Sequence, residues 1–312
     1  MILKKLKNLV IGKEQDPLST KARTGIALIA FYAWIGLGSD GLSSANYGPE
    51  EAFRALGQYP MLGMFLAIAI MVTVFIIAGA YNQVIELFPT GGGGYKVANQ
   101  LLHPYAGLVA GVALLLDYVL TIAISTAAAV DALFSLLPNN WWHYRLICDI
   151  AVVLVLMILN LRGLKESIKV IMPIFLGFVL THIAVLGMGF FMHANQIPAM
   201  FHNIMSQSHR AVHDLGGMAT ALLLVKAYSL GAGTYTGLEA VSNNVNVLAE
   251  PRIKTGKLTM FYIALSLSLM AGGITFMYML WNIGPNTAHT YNSSLFTQIL
   301  AGTPHNHLMV LI

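Results

Sequence analysis

Trp34-Ile-Gly-Leu-Gly-Ser-Asp-Gly-Leu-Ser-Ser-Ala-Asn-Tyr-Gly48 interrupts the first long apolar segment of the chain. The run before it, Ile26 to Leu37, has the composition of a helix entering a bilayer. It then meets Gly36, Gly38 and Gly41 around a carboxylate, Asp40, with Ser39, Ser43, Ser44 and Asn46 close by. This pattern predicts that the helix breaks there and resumes from Ser44 to Leu56. Main-chain groups without hydrogen bonds of their own are tolerated at membrane depth only against a protein-enclosed or water-filled cavity. A carboxylate at that depth is costly unless something cationic meets it. The break is therefore expected to be a cation site.

The rest of the chain has the composition of a membrane protein. Of its 312 residues, 57% are hydrophobic and only 10% charged, against roughly 25% charged in soluble domains, and the mean hydropathy is +0.70. An all-α polytopic membrane protein is expected. The single cysteine, Cys148, lies in an apolar segment and has no intrachain partner, which leaves it a packing role. The net charge of +4 comes from basic residues scattered between apolar spans, which points to membrane topology and excludes a nucleic-acid surface.

Residues 1–23 are expected to form a cytoplasmic basic tail, with Lys4, Lys5, Lys7, Lys13, Lys21 and Arg23. Its apolar run Leu9 to Ile11 is too short for a secretory signal. Residues 24–312 would be the membrane core. After the interrupted first span, a second runs from Met61 to Phe88, and Pro89-Thr-Gly-Gly-Gly-Gly-Tyr95 follows. No Lys-Ser or Lys-Thr pair closes that run into a phosphate-binding loop, so it reads as a tight turn leading into an interfacial helix, Tyr95 to Leu102. A third span, Ala106 to Leu136, carries Asp117, Thr121 and Ser125 at four-residue intervals, which places three oxygen-bearing side chains on one helical stripe. The fourth span is Leu146 to Leu161 and the fifth Ile168 to Met192, with His193 to Gly217 a polar connection.

The sixth segment repeats the device of the first. Ala219 to Leu230 is followed by Gly231-Ala-Gly-Thr-Tyr-Thr-Gly237 and then by Leu238 to Leu248, and it too is predicted to be a broken helix. Glycine-interrupted spans in corresponding positions of two repeats are the sequence pointer to a transporter's central site. A seventh span, Leu258 to Trp281, is followed by a polar loop, and Leu308 to Ile312 reads as the opening of an eighth. With the N-terminus inside, 13 of the 17 Lys and Arg fall in cytoplasmic segments, as the positive-inside rule requires.

Asp40, Asp117 and Glu239 are the carboxylates nearest the middle of their spans; Glu86, Asp131 and Asp149 lie nearer the ends. Each feature also has a plainer explanation. Asp40 could accept main-chain amides at the break, Glu239 could cap the half-helix after Gly237, and the third-span stripe could join helices. Lys226 reads as a snorkelling or helix-pairing lysine. The ten histidines cluster in connections, none as a helical ligand pair with a carboxylate, so no metal centre is expected. Carboxylates, hydroxyls and freed carbonyls are hard donors suited to an alkali cation. Asp40 in the break would repel the carboxylate of an amino acid, so a bare cation or a polyamine fits better.

Gly38-Ser-Asp-Gly-Leu-Ser-Ser-Ala-Asn-Tyr-Gly-Pro-Glu-Glu51, the glycine turn, Asn160-Leu-Arg-Gly-Leu-Lys-Glu-Ser167 and Thr236-Gly-Leu-Glu-Ala-Val-Ser-Asn243 together resemble the KimA-type potassium importers, within the Kup group of the amino acid-polyamine-organocation superfamily. The resemblance implies a LeuT-like inverted-repeat fold with discontinuous first and sixth helices, in the cell membrane, moving potassium and protons inward together with no cofactor. It assigns potassium to Asp40, Tyr47, Asp117, Thr121, Ser125 and Thr236, and proton coupling to Glu239. It also implies a homodimer in the full-length form, inhibited by cyclic di-AMP through a C-terminal domain. On this footing the chain is expected to be truncated, with its second repeat incomplete and that domain absent.

Two other functions fit the same residues: an amino-acid or polyamine permease of this fold, and a non-transporting membrane subunit. An enzyme is not expected, as no nucleophile and base stand at helical spacing beside a metal or oxyanion partner.

Overall fold

The computed structural model describes residues 27–134, 137–161, 164–284 and 290–301. The basic leader, Arg162, the side chain of Lys165 and the expected opening of an eighth span lie outside them.

Among the described residues, five helical stretches are long and apolar enough to cross a membrane: Pro60–Leu87, Pro104–Phe134, Asn140–Leu161, Ser167–Leu215 and Arg252–Leu280. The two interrupted segments, expected as the first and sixth of seven spans, are not among these five, since no half of either is long enough to cross alone. The first consists of α1 (Ala30–Ser43) and α2 (Gly48–Arg54). Next come α3 (Gly63–Leu87), the short α4 (Gly93–Val97) after the glycine turn, and α5 (Pro104–Phe134). Then follow α6 (Arg145–Leu161), α7 (Leu164–His193) and α8 (Ile197–Leu215). The second interrupted segment is α9 (Gly217–Leu230) and α10 (Ala240–Asn243), followed by α11 (Arg252–Leu280) and α12 (Tyr291–Leu300).

Burial orders these helices. In its apolar window α11 is 72% buried, α3 44%, α5 11% and α6 not at all. The central helix is α11, which packs against α3, α1 and α7. The outer helices present Leu115, Leu116, Val119, Leu146, Ile147 and Val155 to the outside. Helices apolar on the outward face as well belong in lipid, where that face costs nothing.

The first break differs from its sequence expectation. Helix α1 runs straight through Gly36, Gly38 and Gly41, and the chain leaves α-helical geometry only at Ser44, in a 3₁₀ turn Ser44–Asn46. The α1 glycines serve close packing instead. A methyl at Gly36 would meet Ile168 Cδ1 at 2.6 Å, and one at Gly38 would meet Ile263 Cγ1 at 2.9 Å. Pro49 accounts for the break, because it has no N–H to give the Ala45 carbonyl one turn back and its ring crowds that carbonyl.

The second break falls where expected. Helix α9 ends at Leu230, Gly231–Tyr235 forms a 3₁₀ turn, and Thr236 is extended at φ −60° and ψ 144°. The half beyond it is shorter than Leu238 to Leu248, since α10 stops at Asn243 and only a 3₁₀ turn, Val245–Val247, follows.

The two broken segments run past each other in opposite overall directions, although the bridge of Leu28 with Leu248 is locally parallel. At one end Leu28 N donates to Val247 O at 2.9 Å and Ala249 N to Leu28 O at 2.8 Å. In the middle Gly237 lies on Gly41, and Ser44 Oγ donates to Thr234 O at 2.8 Å. At the other end Gly231 packs on Ala52.

The glycine turn is as predicted: Gly91, Gly92 and Gly93 all have positive φ, and Gly92 N donates to Asn243 O at 3.0 Å, which docks the turn on α10. The stretch His193 to Gly217, expected as a polar connection, is mostly the amphipathic helix α8, with Met200, Ile204 and Ala211 buried along one face. Part of the loop expected after α11 is likewise helical, as α12.

At Gly237, φ is 87°, and an added methyl would press on the main chain of Gly41, 2.9 Å from its Cα, and of Asp40. Left-handed strain of about 1–2 kcal/mol and overpacking of about 1–3 kcal/mol make Gly237→Ala strongly destabilising. Gly79, with nothing within 4 Å of a new methyl, should gain about 0.5–1 kcal/mol as alanine. Thermal unfolding in detergent of the two variants beside the parent measures both.

Candidate cation site

Asp40 lies in the last turn of α1, half-buried. On α5 the stripe turns inward as the spacing predicts: Thr121 is 6% exposed, while Leu116, Val119, Leu120 and Ile122 on the other faces are exposed. Glu239, 8% exposed, sits between Gly237 and α10. The three carboxylates Asp40, Asp117 and Glu239 lie close enough for each to act on another's charge. Among the described residues none of the three forms an ion pair. Ion pairs lie elsewhere, among them Arg145 with Asp131 at 2.9 Å, Arg54 with Glu50 at 2.5 Å and Lys257 with Glu86. Lys226 is exposed on α9.

The plainer explanations hold only in part. The main-chain oxygen of Asp40, not its carboxylate, takes the local hydrogen bond, from Ser43 Oγ at 2.7 Å. The carboxylate of Glu239 has the main-chain amides of Gly237 and of Glu239 itself nearby, yet its Oε1 is buried without a hydrogen-bond partner. Thr236 gives its hydroxyl to Gly233 O at 2.8 Å, and its carbonyl lies against Gly41. Tyr47, at the end of the first break, packs its ring on Gly233.

Two cavities approach this cluster. One, of about 330 Å³, is lined by Asp117 and Glu239 together with Tyr81, Tyr95 and Asn243. The other, of about 470 Å³, is lined by Tyr47 and Ser125 together with Ser43, Asn46, Asp131 and His182. Asp40, Thr121 and Thr236 line neither. Asp40 is near both, since Asp117 and Glu239 of the first cavity lie within reach of its charge and its carbonyl accepts from Ser43 of the second. Ser43 Oγ and Ser125 Oγ stand 3.4 Å apart. The structure thus brings Asp117 and Glu239 to one cavity and Tyr47 and Ser125 to the other, with Asp40, Thr121 and Thr236 lining neither.

Several residues of the site escaped the sequence reading. Tyr118 OH accepts from Asn243 Nδ2 at 2.8 Å, which closes α5 onto α10 beside Glu239. Its neighbour Asp117 and the Thr236 to Asn243 motif were the available signals, whereas nothing in the sequence marks Tyr81. Glu50, 5% exposed, is a further buried carboxylate, satisfied by Arg54 and by the main-chain N of Tyr291 at 3.0 Å.

The amino acid permease family matches residues 25–312. The potassium transporter KimA of Bacillus subtilis (strain 168) is 33% identical over 299 residues, which cover 94% of this chain and 47% of that protein. The chain thus spans about half the length of that relative.

Ser44 Oγ is the side-chain bridge between the two breaks. Ser44→Ala leaves the Thr234 carbonyl without it in a buried position, at a cost of about 1–3 kcal/mol. Thermal unfolding against Ser39→Ala, whose site lies outside the contact, should show the lower midpoint for Ser44→Ala alone.

Proposed function

The chain belongs to the amino acid permease family, and from that footing we propose that it forms the potassium-binding part of a proton-coupled importer working by alternating access. The observation that carries this reading is the cluster of three inward carboxylates, Asp40, Asp117 and Glu239, with no ion pair among the described residues. Three like charges at membrane depth are tolerable only if cations join them. A potassium ion and a proton offset two of the three charges, and the name of the B. subtilis relative supports potassium as the metal.

The roles follow from position. Asp40 and Asp117 supply charge, and Thr121, Ser125, Tyr47 and the Thr236 hydroxyl or carbonyl supply neutral oxygens, as a weakly hydrated alkali cation requires. Glu239 alternates between protonated and ionised forms. Its unpartnered Oε1 and its place in a cavity with Asp117 support that role. In this reading the compartment with Asp117 and Glu239 faces the cytoplasm and the one with Ser125 and Tyr47 faces outward, the N-terminus being inside. The opposite overall directions of the broken segments, Gly41 on Gly237 and Ala52 on Gly231, support an inverted repeat, with residues 1–23 a cytoplasmic tail and residues 24–312 core. Dimerisation and cyclic di-AMP control through a C-terminal domain are part of the same proposal.

An amine permease is the second reading, favoured by the family match alone, and competition by putrescine separates it. Rubidium uptake in a host lacking its own potassium uptake tests the first. Asp117→Asn and Glu239→Gln should each lower uptake at least tenfold, a loss of about 1.4 kcal/mol or more, and Glu239→Gln should also flatten its dependence on the proton gradient. Normal import by both variants contradicts the assignment, and inhibition by putrescine at the potassium site supports the alternative.

A further inference from the structure

The helical state of α8 changes what its histidines can do. In a loop His209 and His213 would have no fixed relation; on a helix four residues apart they share one face, with Cβ atoms about 5–6 Å apart. Both are exposed, and 89% of the His213 side chain is open. The ring of His213 is oriented: its Nδ1 lies 3.1 Å from Asp214 Oδ1. A carboxylate only accepts, so Nδ1 is the donor in that contact and Nε2 is the nitrogen left to a ligand. Asp214 is fixed in turn, accepting from Tyr59 OH at 3.3 Å and lying 3.5 Å from Arg210 Nε. A carboxylate that holds the second nitrogen of an imidazole is the outer partner metal-binding histidines commonly have, setting tautomer and ring direction.

We propose that His209 and His213 bind a divalent late first-row transition metal, zinc or copper(II), through one ring nitrogen each, with water completing the coordination. Imidazole pairs suit these ions and not the alkali cations of the central site. No group of three or more His, Cys, Asp or Glu able to hold a metal exists among the described residues. The ion is therefore an exchangeable surface ligand and not a buried structural centre. His202, seven residues before His209 and so about 10 Å along the axis, is out of reach of the same ion.

The position gives the site a consequence. Gln207 Oε1 accepts from Met61 N at 3.0 Å, and Asp214 holds Tyr59. The last turns of α8 are thus tied to the connection that leaves the first broken segment. A metal bridging one turn of α8 stiffens that attachment from the surface.

The test is calorimetric titration of the purified chain with zinc chloride and with copper sulfate near neutral pH, with amide hydrogen exchange over residues 205–215 as a second readout. One ion per chain should bind, be removed by EDTA and slow exchange in that stretch. His209→Gln and His213→Gln should each weaken binding at least tenfold, and Asp214→Asn by about tenfold through loss of ring orientation. Acidification should release the ion as the imidazoles protonate. Both histidines are exposed, so the substitutions leave the packing in place, and unfolding in EDTA verifies it. Unchanged affinity in the double variant His209→Gln/His213→Gln, or no saturable binding by the parent, overturns the proposal. The outcome is separate from cation transport, since Asp117→Asn should bind zinc as the parent does.

Discussion

The approach of Gly237 to the main chain of Gly41 fixes the rest of the site. A side chain at Gly237 would occupy the space of the Gly41 backbone, so the two interrupted segments touch at a depth only glycine permits. From that contact Asp40 and Glu239 are placed by short chain distance, one residue before Gly41 and two after Gly237. Ser44, three residues beyond Gly41, reaches Thr234 from the same side. The contact also holds the unwound stretch Thr234–Gly237 against protein, where its carbonyls have no lipid to face.

Charge and shape then act on one partition. Asp117 and Glu239 open to one cavity, Ser125 and Tyr47 to the other, and the Asp40 carbonyl accepts from Ser43 of the second; under the proposed function Asp40 belongs to the partition between them. Under the proposed function an ion passing from one compartment to the other must disturb that wall. Within the second cavity the hydroxyls of Ser43 and Ser125 stand 3.4 Å apart, a single weak contact between α1 and α5 that can open without unpacking a helix. The surrounding helices are held more firmly: α11 is largely buried against α1, α3 and α7. Rigid packing around a weak partition is the arrangement alternating access requires.

Much of this was legible in the sequence because it follows from chemistry that the chain cannot hide. Apolar length set the spans. The four-residue spacing of Asp117, Thr121 and Ser125 set the inward face of α5. Gly231 to Gly237 set the second break, since three glycines with Thr and Tyr leave little to sustain a helix. The first break was misplaced by several residues because glycine has two uses, and the sequence does not say which applies. Gly36, Gly38 and Gly41 cost helix propensity locally, but Ile168 and Ile263 pack where their side chains would be, and tertiary approach outweighs the local preference. The stopping signal was Gly48-Pro49. Helix α8 was missed because its polar face is broad, while its buried face, Met200, Ile204 and Ala211, is narrow. Tyr81 beside Glu239 required knowing which faces of α3 and α10 meet, which no local pattern encodes.

The central claim is that the carboxylates gathered by the two breaks hold one dehydrated monovalent cation. Anomalous diffraction from crystals grown in rubidium tests it most directly. The account predicts one strong anomalous peak among Asp40, Asp117 and the Thr236 break, lost in Asp117→Asn crystals grown the same way. Crystals of the parent that diffract well and show no peak there, or a peak that persists unchanged in Asp117→Asn, would contradict it.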